Sequence, residues 1–152
     1  MDYLGKEIRN GRIDYTSYPN NLTCKFSCGL AAYQPTDLYL VNQNNEAVRI
    51  HFWDRTLNTE MTTFDCRAAG KTCDIIVSKT IGSTRLNSAN VRVTMLKFYT
   101  APWGDPFLLA RDYNQQPNVI VVLELTSNIT GRDVVKVNLQ STFSTLYYPP
   151  RP

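Results

Sequence analysis

The stretch Asn118-Val119-Ile120-Val121-Val122-Leu123-Glu124-Leu125-Thr126 decides the reading of this chain. Val119 to Leu123 is an unbroken apolar run, β-branched in four of its five positions. Asn-Gln-Gln-Pro-Asn leads into it and Ser-Asn-Ile-Thr-Gly follows it, both of them turn material. A soluble chain tolerates such a run where a strand is covered on both faces. The run is therefore predicted to be the central strand of a β domain.

Working outward, the neighbouring segments alternate as half-buried strands do. In residues 22–30, Leu22, Cys24, Phe26, Cys28 and Leu30 share one face. Residues 37–41 form a second strand, stopped by the turn Asn42-Gln-Asn-Asn45. Residues 47–53 form a third, with Val48, Ile50 and Phe52 on its apolar face, and these two strands are expected to make a hairpin. Residues 61–66 read as a short strand, 73–78 as another, 82–90 as a polar loop, and 91–99 as a long strand with Val91, Val93 and Met95 on one face. Pro102 and Pro106 bracket a rigid aromatic loop at Trp103. Residues 107–110 read as a strand, 128–132 as a turn, and from Val134 to Leu139 polar and apolar positions alternate again. Helical periodicity is nowhere sustained. Residues 1–20, broken by Gly5, Asn10-Gly11 and Pro19-Asn20, read as an arm: an edge strand, or a strand lent to a neighbour.

Eight to ten short strands at turn spacings of roughly 8–12 residues indicate a sandwich or barrel. The expected fold is all-β: a single-domain antiparallel β-sandwich in the form of an eight-stranded jelly roll, with extended N- and C-terminal arms. Its parts are an N-terminal arm (1–20), the sandwich domain (21–148) and a C-terminal tail (149–152).

Composition agrees with this class. The 152 residues suit one domain; 43% are hydrophobic and 19% charged, far from the disordered regime. Glutamate is rare (Glu7, Glu46, Glu60 and Glu124) and tyrosine abundant, at nine, which favours strands over helices. The net charge of +3 is spread along the chain without an arginine-rich arm, so strong nucleic-acid binding is not expected. No apolar run approaches the ~18 residues of a membrane span. Met1-Asp-Tyr-Leu-Gly-Lys-Glu7 has no apolar signal core, which fits an intracellular chain or a mature fragment.

Cys24 and Cys28 lie about 13 Å apart on an extended strand, at ~3.3 Å per residue, beyond the ~7 Å reach of a disulfide. Cys66 and Cys73 flank a turn and can pair across it; their alternative state is that of buried thiols packing as small hydrophobes, which the reading prefers. The Cys-x3-Cys and Cys-x6-Cys spacings fall outside usual zinc knuckles, so no metal or other cofactor is expected. His51, the single histidine, would be needed by any Ser-His or Cys-His pair, but no Gly-x-Ser-x-Gly motif accompanies it. Asp37, Asp54, Asp65, Asp105, Asp112 and Asp133 occupy ordinary turn positions, and Glu124 alone interrupts an apolar run, where a salt bridge or local exposure would accommodate it. Asn21 and Asn128 head glycosylation sequons that matter only in a secreted chain.

Tyr3, Tyr15 and Tyr18 near the start, Tyr147, Tyr148 and Arg151 at the finish, and Trp103 at a loop tip are residue types enriched in interface cores. They are the expected assembly contacts. The functional expectation is a non-enzymatic structural subunit of a large assembly: a virion protein of minor capsid, penton, cement or decoration type. Its partners would be copies of itself or other subunits. The alternative is an extracellular, disulfide-bonded β-sandwich binding module, immunoglobulin-like or lectin-like.

Overall fold

The computed structural model describes residues 1–18, 36–68, 70–102, 105–106, 116–127 and 134–145. The predicted strands at 22–30 and 107–110, the turn at 128–132 and the tail at 149–152 lie outside these residues, as do Cys24, Cys28, Asn21, Asn128, Trp103, Tyr147, Tyr148 and Arg151.

Two antiparallel sheets share one hydrophobic core, a β-sandwich-like all-β arrangement. The first sheet holds β1 (Gly11–Ile13), β2 (Leu38–Asn42), β3 (Ala47–Asp54), β5 (Cys73–Lys79) and β6 (Gly82–Arg85) in that order. The short β4 (Thr59–Glu60) pairs with the end of β3 on the side away from β5. The second sheet is a meander of β7 (Val91–Ala101), β8 (Asn118–Ser127) and β9 (Lys136–Ser144). Among the described residues β1 to β6 stay in one layer and β7 to β9 in the other.

The expected central strand is β8, hydrogen-bonded to β7 on one side and β9 on the other. Val119, Val121 and Leu123 point into the core, at 0%, 0% and 4% exposure. Ile120 and Val122, on the opposite face, are half-buried, so the outer cover predicted for this run is partial. The β2–β3 hairpin forms as expected, with Asn45 at φ 60° closing its turn. Opposite β8, the first sheet contributes Leu38, Leu40, Val48, Ile50, Phe52, Ile75 and Val77 to the same core.

Three local expectations are corrected. Residues 61–66 make no strand beyond an isolated bridge between Asp65 and Met95, and 82–85, expected as loop, form β6. In β7, Val93 pairs with Leu125 but Met95 pairs with Glu124, so Thr94 bulges and shifts the inward register to Val93, Leu96 and Phe98. Strict alternation through Met95 therefore fails at an inserted residue.

The larger correction concerns the N-terminus, which is not an extended arm. Asp2–Asn10 is a helix, α1, followed by β1 and a 3-10 turn at Tyr15–Ser17. Leu4 and Ile8, one helical turn apart, are buried in the shared core, while Asp2 in the first turn and Arg9 in the last complement the helix dipole. Gly5 reads as a breaker but serves a close approach: a Cβ there would lie 2.5 Å from Cε1 of Phe143 on β9. Lys79 Nζ, 2.7 Å from Glu7 Oε1, ties the same helix to β5. Packing against both sheets supplies what so short a helix lacks on its own.

Candidate functional site

The second sheet has two unlike edges. Along β7, the segment after β4 adds its backbone to the strand. Leu96 N–H donates to the Phe64 carbonyl (3.2 Å) and Cys66 N–H to that of Thr94 (2.8 Å). Cys66 is disulfide-bonded to Cys73, the first residue of β5, with 6.3 Å between their Cα atoms. Both cysteines are fully buried. The preference for free thiols is thus overturned at this pair: Cys66 sits on the second sheet and Cys73 on the first, so the bond staples the layers together.

Beside that staple lies Glu124, 4% exposed on the outer side of β8. Arg67 grips it with Nε and Nη2 at 3.0 and 3.1 Å, Lys136 Nζ is 2.8 Å away, and Thr94 in the bulge donates its hydroxyl at 2.8 Å. The Arg67 hydrogen bonds and then those of Lys136 hold this carboxyl down to about 2. The salt bridge anticipated for Glu124 is therefore a three-donor cluster joining β7, β8, β9 and the disulfide segment.

Along β9 the picture reverses. Ser127 N–H donates to the Val135 carbonyl and Thr145 N–H to that of Pro117. This phase turns the odd-numbered residues of β9 toward β8 and leaves the N–H and C=O of Lys136, Asn138, Gln140 and Thr142 pointing away from it. No strand among the described residues pairs on that side. Val134, Val135 and Val137 are 72%, 60% and 42% exposed. An edge strand whose outward backbone has no partner among the described residues is a template for strand addition.

The first sheet carries a polar network on its outer face. His51 Nε2 is 3.0 Å from Ser78 Oγ, which is 2.8 Å from Ser83 Oγ. The buried Nδ1 has no hydrogen-bond partner and lies 3.7 Å from Glu60 Oε1. Both Glu60 oxygens accept from Arg49, each at 2.8 Å, and Arg49 also pairs with Asp37 at 2.7 Å. Burial first, and Arg49 second, lower the His51 pKa from its ordinary value and disfavour the protonated ring. A Ser-His-carboxylate relay needs the acid to hold the imidazole; here Arg49 engages the acid instead. A surface groove of about 250 Å³ adjoins this network, lined in part by Asp14, Tyr39, Arg49, Ser78 and Lys79.

The remaining buried carboxylates hold turns. Asp74, 1% exposed, accepts from both Arg55 Nε (2.8 Å) and Asn87 Nδ2 (2.8 Å), with Arg55 Nη2 in contact and Arg85 Nε at 3.2 Å. Asp54 accepts from the backbone of Thr56 and Leu57 at 2.9 and 3.2 Å, closing the β3–β4 turn. Among the described residues no cluster of three or more His, Cys, Asp or Glu could hold a metal ion. No helix among them is long and apolar enough to cross a membrane.

Of the expected contact residues, Tyr3 is 43% exposed on α1. Tyr15 and Tyr18 fill the chain's own core at 8% and 3% exposure, which removes them from any contact surface. Tyr15 donates its hydroxyl to the Pro102 carbonyl (3.0 Å), and Tyr18 stands edge-on to Tyr39 with ring centroids 5.1 Å apart. Sequence reasoning passed over Val134, Val135 and Val137 as a surface. Their signal in the sequence was the apolar alternation of Val135, Val137 and Leu139; the position of that strand at a sheet edge was not written there.

Compared with known protein families, with curated proteins and with solved structures, this chain matches none.

Proposed function

We propose that this chain is a non-enzymatic structural subunit of a large assembly, a virion protein of the minor capsid, penton, cement or decoration type, joined to its neighbours by strand addition. The observation that carries the reading is the β9 edge: among the described residues no strand pairs with its outward backbone, and Val134, Val135 and Val137 beside it are exposed. A chain that stayed alone would gain from protecting such an edge with proline, a bulge or free charge. The eight-stranded jelly-roll form stays within the proposal, as a fold-level analogy resting on two antiparallel layers around one core. The N-terminus, packed on its own core, no longer lends support to it. Tyr3 remains as an exposed aromatic contact, and Trp103, Tyr147, Tyr148 and Arg151 remain candidates from sequence. Sedimentation of the native material from its source tests the reading. Recovery in a particle far larger than the 17.3 kDa chain is expected; recovery as free chain would overturn it.

A second reading has one observation in its favour. The Cys66–Cys73 bond suits an oxidising compartment, hence an extracellular β-sandwich binding module. Thiol titration after denaturation without reductant tests it: no more than two free thiols are expected, and four would remove both the bond and the extracellular reading built on it.

A further inference from the structure

We propose that β9 pairs antiparallel with β9 of a second copy of this chain, about a two-fold axis at Val137, fusing two three-stranded sheets into one of six strands. This names the partner and register for the edge invoked above and rests on that edge being a contact surface.

The choice of a second copy comes from the strand's own symmetry. Val135, Lys136, Val137, Asn138 and Leu139 read apolar, polar, apolar, polar, apolar about Val137. An antiparallel copy turned about that residue sets Val137 against Val137, Val135 against Leu139, and Lys136 against Asn138. The outward-pointing backbone groups belong to the even-numbered residues, so Lys136 faces Asn138 as a hydrogen-bonded pair and the valines meet at a non-hydrogen-bonded one. The backbone phase of the existing ladder thus allows this register without slip or bulge. Two of the side chains brought together are among the exposed large hydrophobics of the described residues, Val135 at 60% and Val137 at 42%. Such isologous contacts are the commonest way identical chains close on themselves.

Charge does not oppose the pairing. An edge lysine usually guards against strand addition, but the Lys136 ammonium is turned back onto Glu124 at 2.8 Å. The two lysines would lie diagonally across the axis, each neutralised within its own subunit. At the other end of the strand, α1 packs on Phe143, six residues from the proposed axis.

Cross-linking and sedimentation equilibrium of the full chain test this. Cα atoms at a non-hydrogen-bonded pair lie ~4.5 Å apart, within disulfide reach. Val137→Cys should therefore give a covalent dimer on mild oxidation under native conditions, whereas the unaltered chain, Leu139→Cys and Gln140→Cys should not. The unaltered chain should sediment as a dimer, and Val137→Lys as a monomer with its circular dichroism unchanged. A chain monomeric up to its solubility limit, a dimer that survives Val137→Lys, or self-cross-linking at 139 in place of 137 would each overturn the proposal. A monomer that still enters a larger particle would refute self-pairing and leave the assembly reading standing. A dimer that never enters one would do the opposite.

Discussion

Val93, Leu125 and Val137 lie side by side across β7, β8 and β9, one row on the core-facing side of the second sheet. Val93 is fully buried, Leu125 half-buried and Val137 42% exposed. All three are aliphatic, and the ladder between them is continuous, so hydropathy does not account for the gradient. The β7 end is sealed because the disulfide segment lies along it and the first sheet stands behind it. Among the described residues no segment lies along the β9 end. A sheet edge is closed by what crosses it, and here the crossing chain is local to Phe64–Arg67.

The sharpest way to break this comparison is one substitution placed at both ends of the row. Val93→Lys puts an unpaired ammonium among fully buried side chains and should cost more than about 4 kcal/mol, leaving little folded protein. Circular dichroism of the purified variant checks it. A folded Val93→Lys would mean the β7 edge opens readily.

Next in size is the cluster at Glu124. Arg67→Ala with Lys136→Ala leaves the Glu124 carboxylate without its cations and should lower the urea unfolding midpoint clearly, though by less than Val93→Lys. The pH dependence follows from the lowered Glu124 value. The unfolded chain takes up this proton near 4.5 and the folded one near 2, so the stabilisation is complete above about pH 4.5 and lost as pH falls toward 2. In the double variant that window should disappear. An unchanged acid titration would assign the acid sensitivity elsewhere.

The disulfide comes third. The Cys66–Cys73 link spans seven positions, and closing a loop of that length contributes about 2.5 kcal/mol through the unfolded state. Replacing both cysteines by alanine should lower stability by roughly that amount and raise hydrogen exchange along β7 before β9. Equal loosening of both edges would erase the distinction drawn between them.

Much of this contrast was legible from residues alone, but unevenly. The strands β2, β3, β5, β7 and β8 declare themselves because each buries a period-two face or an apolar run. The helix α1 hid because its two anchors, Leu4 and Ile8, are too few to show a period, and because Gly5 reads as a breaker until Phe143 is seen against it. The Thr94 bulge hid because one inserted residue leaves no mark on composition. The Glu124 cluster was half-visible: a lone carboxylate in an apolar run demands partners, but Arg67 is 57 residues away in sequence and reaches it only through tertiary packing. The β9 edge was readable as alternation, whereas its openness depends on what fails to lie beside it.

Gly5→Ala probes the packing of α1 on β9. The new methyl would meet the Phe143 ring, an overpacking of about 1–3 kcal/mol, offset by about 1 kcal/mol of helix propensity. A net loss of about 1 kcal/mol is expected, relieved when Phe143→Leu is added. If Gly5→Ala stabilises the fold alone, α1 does not seat against β9.

The smallest effect belongs at the open end of the row. Val137→Lys replaces a half-open side chain with one whose stem can lie along Leu125 while its ammonium reaches water. Little apolar burial is lost and no charge is buried. Thermal melts of dilute, monomeric protein should therefore differ from those of the unaltered chain by no more than about 0.5 kcal/mol. The same exchange that abolishes folding at Val93 would then be silent two strands away, and its only consequence would be on association. A loss above about 2 kcal/mol in the monomer would show that β9 is covered within the single chain. The two edges would then be alike, and nothing would call for a partner strand at β9.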